Sequence, residues 1–294
     1  MTSHCPVCKS SSVSVYLDQA EDGLDSSRIG SSRTMISPGR IVRCNDCGFG
    51  FRQSRFDQEQ LASLYRKMDP KVYQAELRGR ERTAETHLRI VQKAVHGGHI
   101  LDIGCASGLF LSKAVDAGWQ VTGVEPSEVL FREASEKLAG HGTVLPLTLE
   151  EADFGDQKFD AITLWDVLEH VEEPMDMMKR CRALLKSDGC LFLNVPDLDS
   201  FEAKTLGKRW PLLLPEHMNY FNRPSLKLCG EKSGLRLVRF GRRRSYFSTQ
   251  YVLYRLSQHQ IPGAKVLSKA ARTAIGRALI PVSLGETYAV FGTG

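Results

Sequence analysis

The 294-residue chain carries 39 Lys and Arg against 34 Asp and Glu, a net charge of +5, with 42% hydrophobic and 25% charged residues. These proportions are those of an ordinary globular protein and exclude a collagen-like repeat, a largely disordered chain and a disulfide-dense miniature. The small positive excess makes a weak case for a nucleic-acid partner.

Four of the eight cysteines stand early, as Cys5/Cys8 in CPVC and Cys44/Cys47 in CNDC, with 35 residues between the pairs. No apolar run reaches the ~18 residues of a bilayer span, and the start, Met-Thr-Ser-His-Cys, lacks a signal-peptide layout. A cytoplasmic location is therefore expected, where thiols stay reduced and paired cysteines hold metal or pack in a core. Two residues between thiols let one tight turn aim both sulfurs at one ion, and two such turns complete a tetrahedral Cys₄ zinc site. The gap exceeds the ~15–20 residues of the commonest spacing. Residues 18–38, rich in Ser, Asp and Gly, read as a polar insertion that explains the excess. A redox role needs a strand before the pair and a helix starting at it, which does not suit a pair five residues from the start of the sequence. The expectation is a zinc ribbon over 1–54 whose closed site does no chemistry, with His4 a bystander.

Residues 57–67 and 80–96 show helical spacing, with Leu61, Leu64 and Tyr65 on one face and Leu88, Ile90, Val91 and Val95 on another. They form a helical connector over 55–98, broken by Gly97-Gly98. Strand-like and helix-like segments then alternate: 99–104, a helix near 108–117, 119–126, a helix near 127–139, 143–147, 159–166, a helix near 174–186, and 190–197. Such alternation predicts an α/β fold, a mostly parallel sheet covered on both faces.

The segment LDIGCASGLF puts Asp102, Gly104 and Gly108 at a strand-to-helix turn, and Glu125 follows Gly104 by 21 residues at the end of the next strand. An acid there can accept hydrogen bonds from ribose hydroxyls. A dinucleotide fingerprint would need glycines at 104, 106 and 109, where the chain has Gly104, Ala106 and Leu109. The carboxylate heading the loop suits an ammonium-bearing ligand better than a diphosphate.

These residues resemble the class I S-adenosylmethionine-dependent methyltransferases, over about 99–240 and again at 286–292. DIGCASG looks like that family's first motif, VEPS at 124–127 like its ribose motif, FDAITLWDVLEHVEEP at 159–174 like its fourth strand and following turn, and LLKSDGCLFLNVPD at 184–197 like its fifth-strand motif. The resemblance implies a Rossmann-like, seven-stranded sheet over 99–294 whose last strand is antiparallel. It implies that Asp102, Gly104 and Gly108 cradle the methionine moiety, that Glu125 holds the ribose, and that Trp165 and Asp166 lie beside the methionine end. Ala106 departs from the usual middle glycine, and Thr148 stands where many members have an acid for the adenine amine.

The acceptor side is read in WPLLLPEHMNYFNRPSL, 210–226, which looks like the family's acceptor loop. His217 is the first choice for general base, since imidazole titrates near neutrality and the preceding Glu216 can orient it. A supporting or capping role is its rival. His170, at a family position near the cofactor, reads as structural, with catalysis or metal ligation beside Glu169 as alternatives. Adenine-amino chemistry would need an Asp/Asn-Pro-Pro-Tyr-type turn where the chain has DVLEH, and cytosine C5 chemistry a cysteine nucleophile after the fourth strand. Cys105, Cys181, Cys190 and Cys229 read instead as core.

The run Arg239, Arg242, Arg243, Arg244 reads as a solvated face or a clamp for one phosphate. It adjoins an insert at 241–285, with a second basic stretch of Lys265, Lys269, Arg272 and Arg277, for which three readings stand: a cover over the acceptor pocket, peripheral membrane contact, or binding of the phosphates of a nucleotide- or lipid-linked acceptor. A ribbon before such a core resembles bacterial zinc-ribbon methyltransferases of surface-polysaccharide and natural-product pathways. Methylation of a small molecule, preferably a sugar oxygen, is the expected function. RNA methylation, sugar C-methylation and a non-catalytic cofactor-binding module are the alternatives.

Overall fold

The computed structural model describes residues 4–19, 38–54, 76–258 and 278–294. The helix read at 57–67, most of the 18–38 insertion and the basic stretch at 265–277 lie outside these residues.

The predicted alternation is observed with small shifts of boundary. Strands β4 (His99–Ile103), β5 (Gln120–Val124), β6 (Thr143–Leu145), β7 (Phe159–Trp165), β8 (Leu185–Pro196), β10 (Leu235–Arg242) and β13 (Glu286–Thr293) form a seven-stranded sheet in the order β10-β13-β8-β7-β4-β5-β6. Its β6-β5-β4-β7-β8 portion is parallel, and β13 runs antiparallel to both neighbours. Helices α1 (Leu77–Gln92), α2 (Leu109–Asp116), α3 (Glu128–Lys137), α4 (Pro174–Leu184) and α6 (Arg223–Lys232) pack around it; α5 is the short Phe201–Leu206.

Alternate residues of one strand feed different cores, as the two-residue period requires. Ile100 joins Leu88, Val91, Phe110 and Leu111 beneath α1 and α2, whereas Leu101 and Ile103 join Met178, Cys181, Leu226 and Cys229 beneath α4 and α6. Cys105, Cys181 and Cys229 are buried and Cys190 partly so, as read. The chain leaves β4 for β5 and β6 on one side and crosses to β7 on the other. The reversal opens a crevice at the carboxyl ends of β4 and β7, where such sheets bind ligands.

Two features lie beyond the expected layout. Strands β1 (Val13–Leu17), β2 (Ile41–Cys44) and β3 (Gly50–Arg52) share a four-stranded sheet with β9 (Asn219–Tyr220), so the ribbon is continued by a strand of the 210–226 segment. The insert contributes a hairpin of β11 (Ser245–Ser248) and β12 (Leu279–Val282), with α7 (Thr249–Gln258) between them. The hairpin lies on α1, where Tyr246 N donates to Thr83 Oγ1 at 3.1 Å and Ser248 N to Glu76 Oε2 at 2.9 Å. Among the described residues no helix is long and apolar enough to cross a membrane.

Candidate functional site

A cavity of about 280 Å³ opens in the crevice, lined at one end by Glu125, Pro126, Leu130 and Thr148 and at the other by Arg80, Trp165, Asp166 and His170, with Gly104 and Ala106 between. The turn after β4 is shaped for close approach. Gly104 has φ +70°, and a Cβ there would come 2.9 Å from Val167 Cγ2. Ala106 adopts a left-handed φ of 48° despite its methyl group, a conformation costing an L-residue roughly 1–2 kcal/mol. That conformation aims its N–H at Glu125 Oε2, 2.9 Å away, while Glu125 Oε1 accepts from Ser127 N at 2.8 Å. Each carboxylate oxygen keeps a second acceptor position, enough for two ribose hydroxyls.

Asp102 and Gly108 sit beside the cavity rather than on its wall. Gly108, also left-handed, starts α2. Asp102 is buried beneath the turn and accepts from Thr163 Oγ1 at 2.5 Å. Burial pushes its carboxyl up to about 7, with the charge of Glu125 adding and the Thr163 hydroxyl opposing. Glu286 is likewise pushed up to about 7, by burial against the pull of Arg243. A carboxyl raised on folding stabilises the native state while protonated and loses that contribution as pH climbs to its folded value. The ligand-free protein should therefore lose up to ~1.4 kcal/mol per pH unit per group between about pH 4 and 7. Thermal midpoints across pH 5–8 check this: they should fall as pH rises, and less steeply in Asp102→Asn.

Beside Trp165 and Asp166 the arginine run divides. Arg239, Arg242 and Arg244 are exposed, but Arg243 turns inward and is buried. Its guanidinium donates to Asp166 Oδ1 at 2.8 Å and Oδ2 at 3.1 Å, to Glu286 Oε1, and to His87 Nε2 at 3.1 Å. It is neither a solvated face nor a phosphate clamp, because its donors are committed inside the protein. Asn194, opposite Trp165 on β8, completes the mount: its Nδ2 donates to Asp166 Oδ1 at 2.5 Å and its Oδ1 accepts from Asp166 N at 3.1 Å. Asp166 holds a left-handed φ of 59°. Its carboxylate is about half exposed where it lines the cavity, and Arg243 and Asn194, outweighing any desolvation, keep it well below the usual range. His87 stacks on Trp165, centroids 3.9 Å apart and planes at 13°, and burial keeps its imidazole neutral. Trp165 Nε1 is buried without a hydrogen-bond partner, a donor beside the cavity with nothing to serve in the protein.

In the turn after β7 His170 reaches the cavity wall and His217 packs behind it, ring centroids 4.7 Å apart. Nδ1 of His170 lies 3.1 Å from Glu216 O, and Nδ1 of His217 lies 2.9 Å from Leu212 O. Carbonyls only accept, so both rings carry the proton on Nδ1 and present Nε2 as a lone pair. The Glu216 side chain was expected to orient His217; the carbonyl of Leu212 holds that ring nitrogen, and Glu216 contributes its own carbonyl to His170. One ligand atom each from Glu169, His170 and His217 lies within 4.8 Å of the others, and Glu169 Oε2 is buried with no hydrogen-bond partner. A carboxylate and two imidazoles so placed are a donor set for a divalent cation.

The thiols of Cys5, Cys8, Cys44 and Cys47 also converge within 4.8 Å. Cys5 Sγ is 3.6 Å from Cys47 Sγ and Cys8 Sγ 3.4 Å from Cys44 Sγ, close to the roughly 3.8 Å edge of a tetrahedron with Zn–S near 2.3 Å. All are free thiols. The residues fit a structural zinc.

The site residues missing from the sequence reading are Arg80, His87, Asn194 and Glu286, together with the inward role of Arg243. Arg80 and His87 are seven residues apart on α1 and so share a face, the one signal that joins any of them.

Solved structures of similar fold include a SAM-dependent methyltransferase of Leishmania major (13% identity, TM-score 0.53, covering 79% of this chain and 82% of that one). The plantazolicin methyltransferase BpumL in complex with SAH is also similar (13%, TM-score 0.50, covering 81% and 90%). The ubiquinone biosynthesis O-methyltransferase of Haemophilus ducreyi is 32% identical over 148 residues, 47% of this chain and 63% of that protein. That of Coxiella burnetii is 32% identical over 157 residues, 50% and 67%. The chain thus spans less than two thirds of the first of these relatives. A methyltransferase-domain family profile matches residues 73–239, more than half of the sequence and the segment that builds the cavity, and the chain belongs to that family.

Proposed function

We propose that the protein transfers the methyl group of S-adenosylmethionine to an oxygen of a small-molecule acceptor. The reading rests on one juxtaposition. A glycine turn and ribose-competent Glu125 stand at one end of the cavity, and an orphaned Trp165 N–H and His170 at the other. Glu125 would hold the ribose, the apolar wall of Pro126, Leu130 and Leu147 the base, and Arg80, at the methionine end, the carboxylate. The bound sulfonium supplies an already activated methyl group. What remains for the protein is to exclude water, align the acceptor and take up the hydroxyl proton.

His217 is the proposed proton acceptor: burial holds its imidazole neutral, the Leu212 carbonyl sets its lone pair, and because it packs behind His170 the acceptor hydroxyl must enter past His170 to reach it. His217→Ala should lower turnover by about 100-fold or more, the usual range for a lost general base, while calorimetry finds S-adenosylhomocysteine affinity unchanged. Undiminished turnover would remove His217 from that role. The orphaned Glu169 Oε2 favours a second reading, in which Glu169, His170 and His217 hold a cation that carries the acceptor hydroxyl. Metal analysis separates the two: one zinc per chain for the ribbon alone, or two metals falling to one in His217→Ala.

The relatives named O-methyltransferases support oxygen as the methylated atom. The ribbon-plus-core layout supports a sugar or comparable hydroxylated metabolite. Of the basic run Arg239, Arg242, Arg243 and Arg244, Arg243 turns inward, which leaves less of the run to bind RNA.

A further inference from the structure

The zinc ligands and the acceptor loop are joined through a short strand and the turn before it. Cys47 is followed by Gly48, Phe49 and then β3, and β3 pairs with β9, Gly50 opposite Tyr220 and Phe51 opposite Asn219. Arg52 closes the pairing twice. Its backbone N donates to Met218 O at 2.9 Å, and Nη1 of its fully buried guanidinium donates to Pro215 O. Both ends of Pro215–Met218, the stretch holding Glu216 and His217, are thus tied to one residue of the ribbon.

The opposite side of this stretch is tied to the turn after β7. Met218 N and Asn219 N both donate to Glu169 O, at 2.8 and 3.0 Å, and Asn219 Nδ2 donates to Leu168 O and Val171 O. The loop is therefore clamped between ribbon and cavity wall. A knuckle residue lies directly on the next element, because a Cβ on Gly48 would come 2.3 Å from Nδ2 of Asn222, the cap of α6. Phe49 meets Phe221 edge-on at 5.1 Å.

Burying a guanidinium is costly unless its donors are served, and an apolar side chain would fill the same space more cheaply. At Arg52 one bond made in return is to the carbonyl just before Glu216 and His217. Strands as short as β2 and β3 do not hold a sheet unaided, and four converging thiols without a cation are only weak hydrogen-bonding partners for one another. The cofactor turn, by contrast, is braced locally by Gly104 N to Val124 O and Ala106 N to Glu125.

We propose that the zinc knuckle orders the acceptor side of the active site, with Arg52 as the positioning residue that transmits this order to Pro215–His217. Loss of zinc would unseat His217 while the cofactor half stays intact. The proposal rests on reading 210–226 as the acceptor loop, but its test follows the loop itself and needs no acceptor.

Amide hydrogen exchange on the full zinc-loaded chain, before and after zinc is withdrawn with a chelator, reads it directly. Exchange should rise about tenfold or more in peptides covering 40–52 and 212–222, while 99–126 keeps its protection and S-adenosylhomocysteine affinity stays within about threefold. Protection at 212–222 surviving its loss at 40–52 would overturn the proposal, as would 99–126 opening with the rest. In zinc-loaded Arg52→Met, zinc content should hold while 212–222 opens. The ¹⁵N signature of the Nδ1–H tautomer of His217 should be lost there and partly restored in Arg52→Lys; an unchanged signature in Arg52→Met overturns Arg52's role. Should Arg52→Met not fold, the zinc-withdrawal arm decides. Absence of S-adenosylhomocysteine binding in the zinc-loaded protein would strike the cofactor reading and leave the loop result standing.

Discussion

Arg243→Met should destabilise the protein by about 3–5 kcal/mol, the usual cost of removing one partner from a buried ionic group. Two carboxylates depend on this guanidinium. Without it Asp166 and Glu286 would face each other with no cation between them, and His87 would lose the donor at its Nε2. At least one carboxyl must then take up a proton, and Asp166, held ionised in the intact network, has further to move. The loss should therefore be larger at pH 8 than at pH 5, where protonation relieves the repulsion. Chemical denaturation at the two pH values checks both size and sign. Arg239→Met is the control: its side chain is exposed, and surface changes of this kind usually fall within about 0.5 kcal/mol. Because Asp166 also lines the cavity, Arg243→Met should weaken S-adenosylhomocysteine binding as well. Equal stabilities of the Arg243 and Arg239 variants would mean the inward ion network is not formed.

The contrast between these two arginines shows where the sequence was legible. Strand and helix positions were readable because each is written locally: alternation of buried residues, a glycine at a forced turn, an acid at a strand end. Asp102, Gly104 and Glu125 are legible as a group because one βαβ unit carries all three within 24 residues. Arg243 differs from Arg239, Arg242 and Arg244 in nothing local. It turns inward because Asp166 and Glu286 await it from β7 and β13, strands separated from it by 77 and 43 positions. His87 escaped for the same reason, since its stacking partner Trp165 lies on a distant strand. The ribbon was recognised by its cysteine spacing, but spacing does not say which strand completes its sheet. Asn219–Tyr220 is a two-residue strand whose pairing with β3 exists only in the folded chain.

Glu125→Ala should raise the dissociation constant for S-adenosylmethionine by about 100-fold or more, taking two hydrogen bonds to a charged group at ~1.5–3 kcal/mol each as the loss. Part of that cost lies within the protein. Glu125 holds the N–H of Ala106 and so pins the left-handed turn against which the ligand must lie. Glu125→Gln separates the contributions: its amide oxygen can still accept from Ala106, while the NH₂ must face Ser127 N or the ribose. It should sit between wild type and alanine in affinity yet keep the turn. Ala106→Gly in the Glu125→Ala background sharpens the point. Removing the methyl group makes the left-handed conformation intrinsically accessible, so it should recover the part of the affinity owed to the turn and none of that owed to the ribose. Calorimetry on the four proteins checks the order. Burial also raises the Glu125 carboxyl above its ordinary range even with two N–H donors in place. Hydroxyls donated by a ribose would favour the ionised form, so binding should release protons and affinity should climb as pH rises until Glu125 is fully ionised. That dependence should vanish in Glu125→Gln, and its persistence there would assign the released proton to another group.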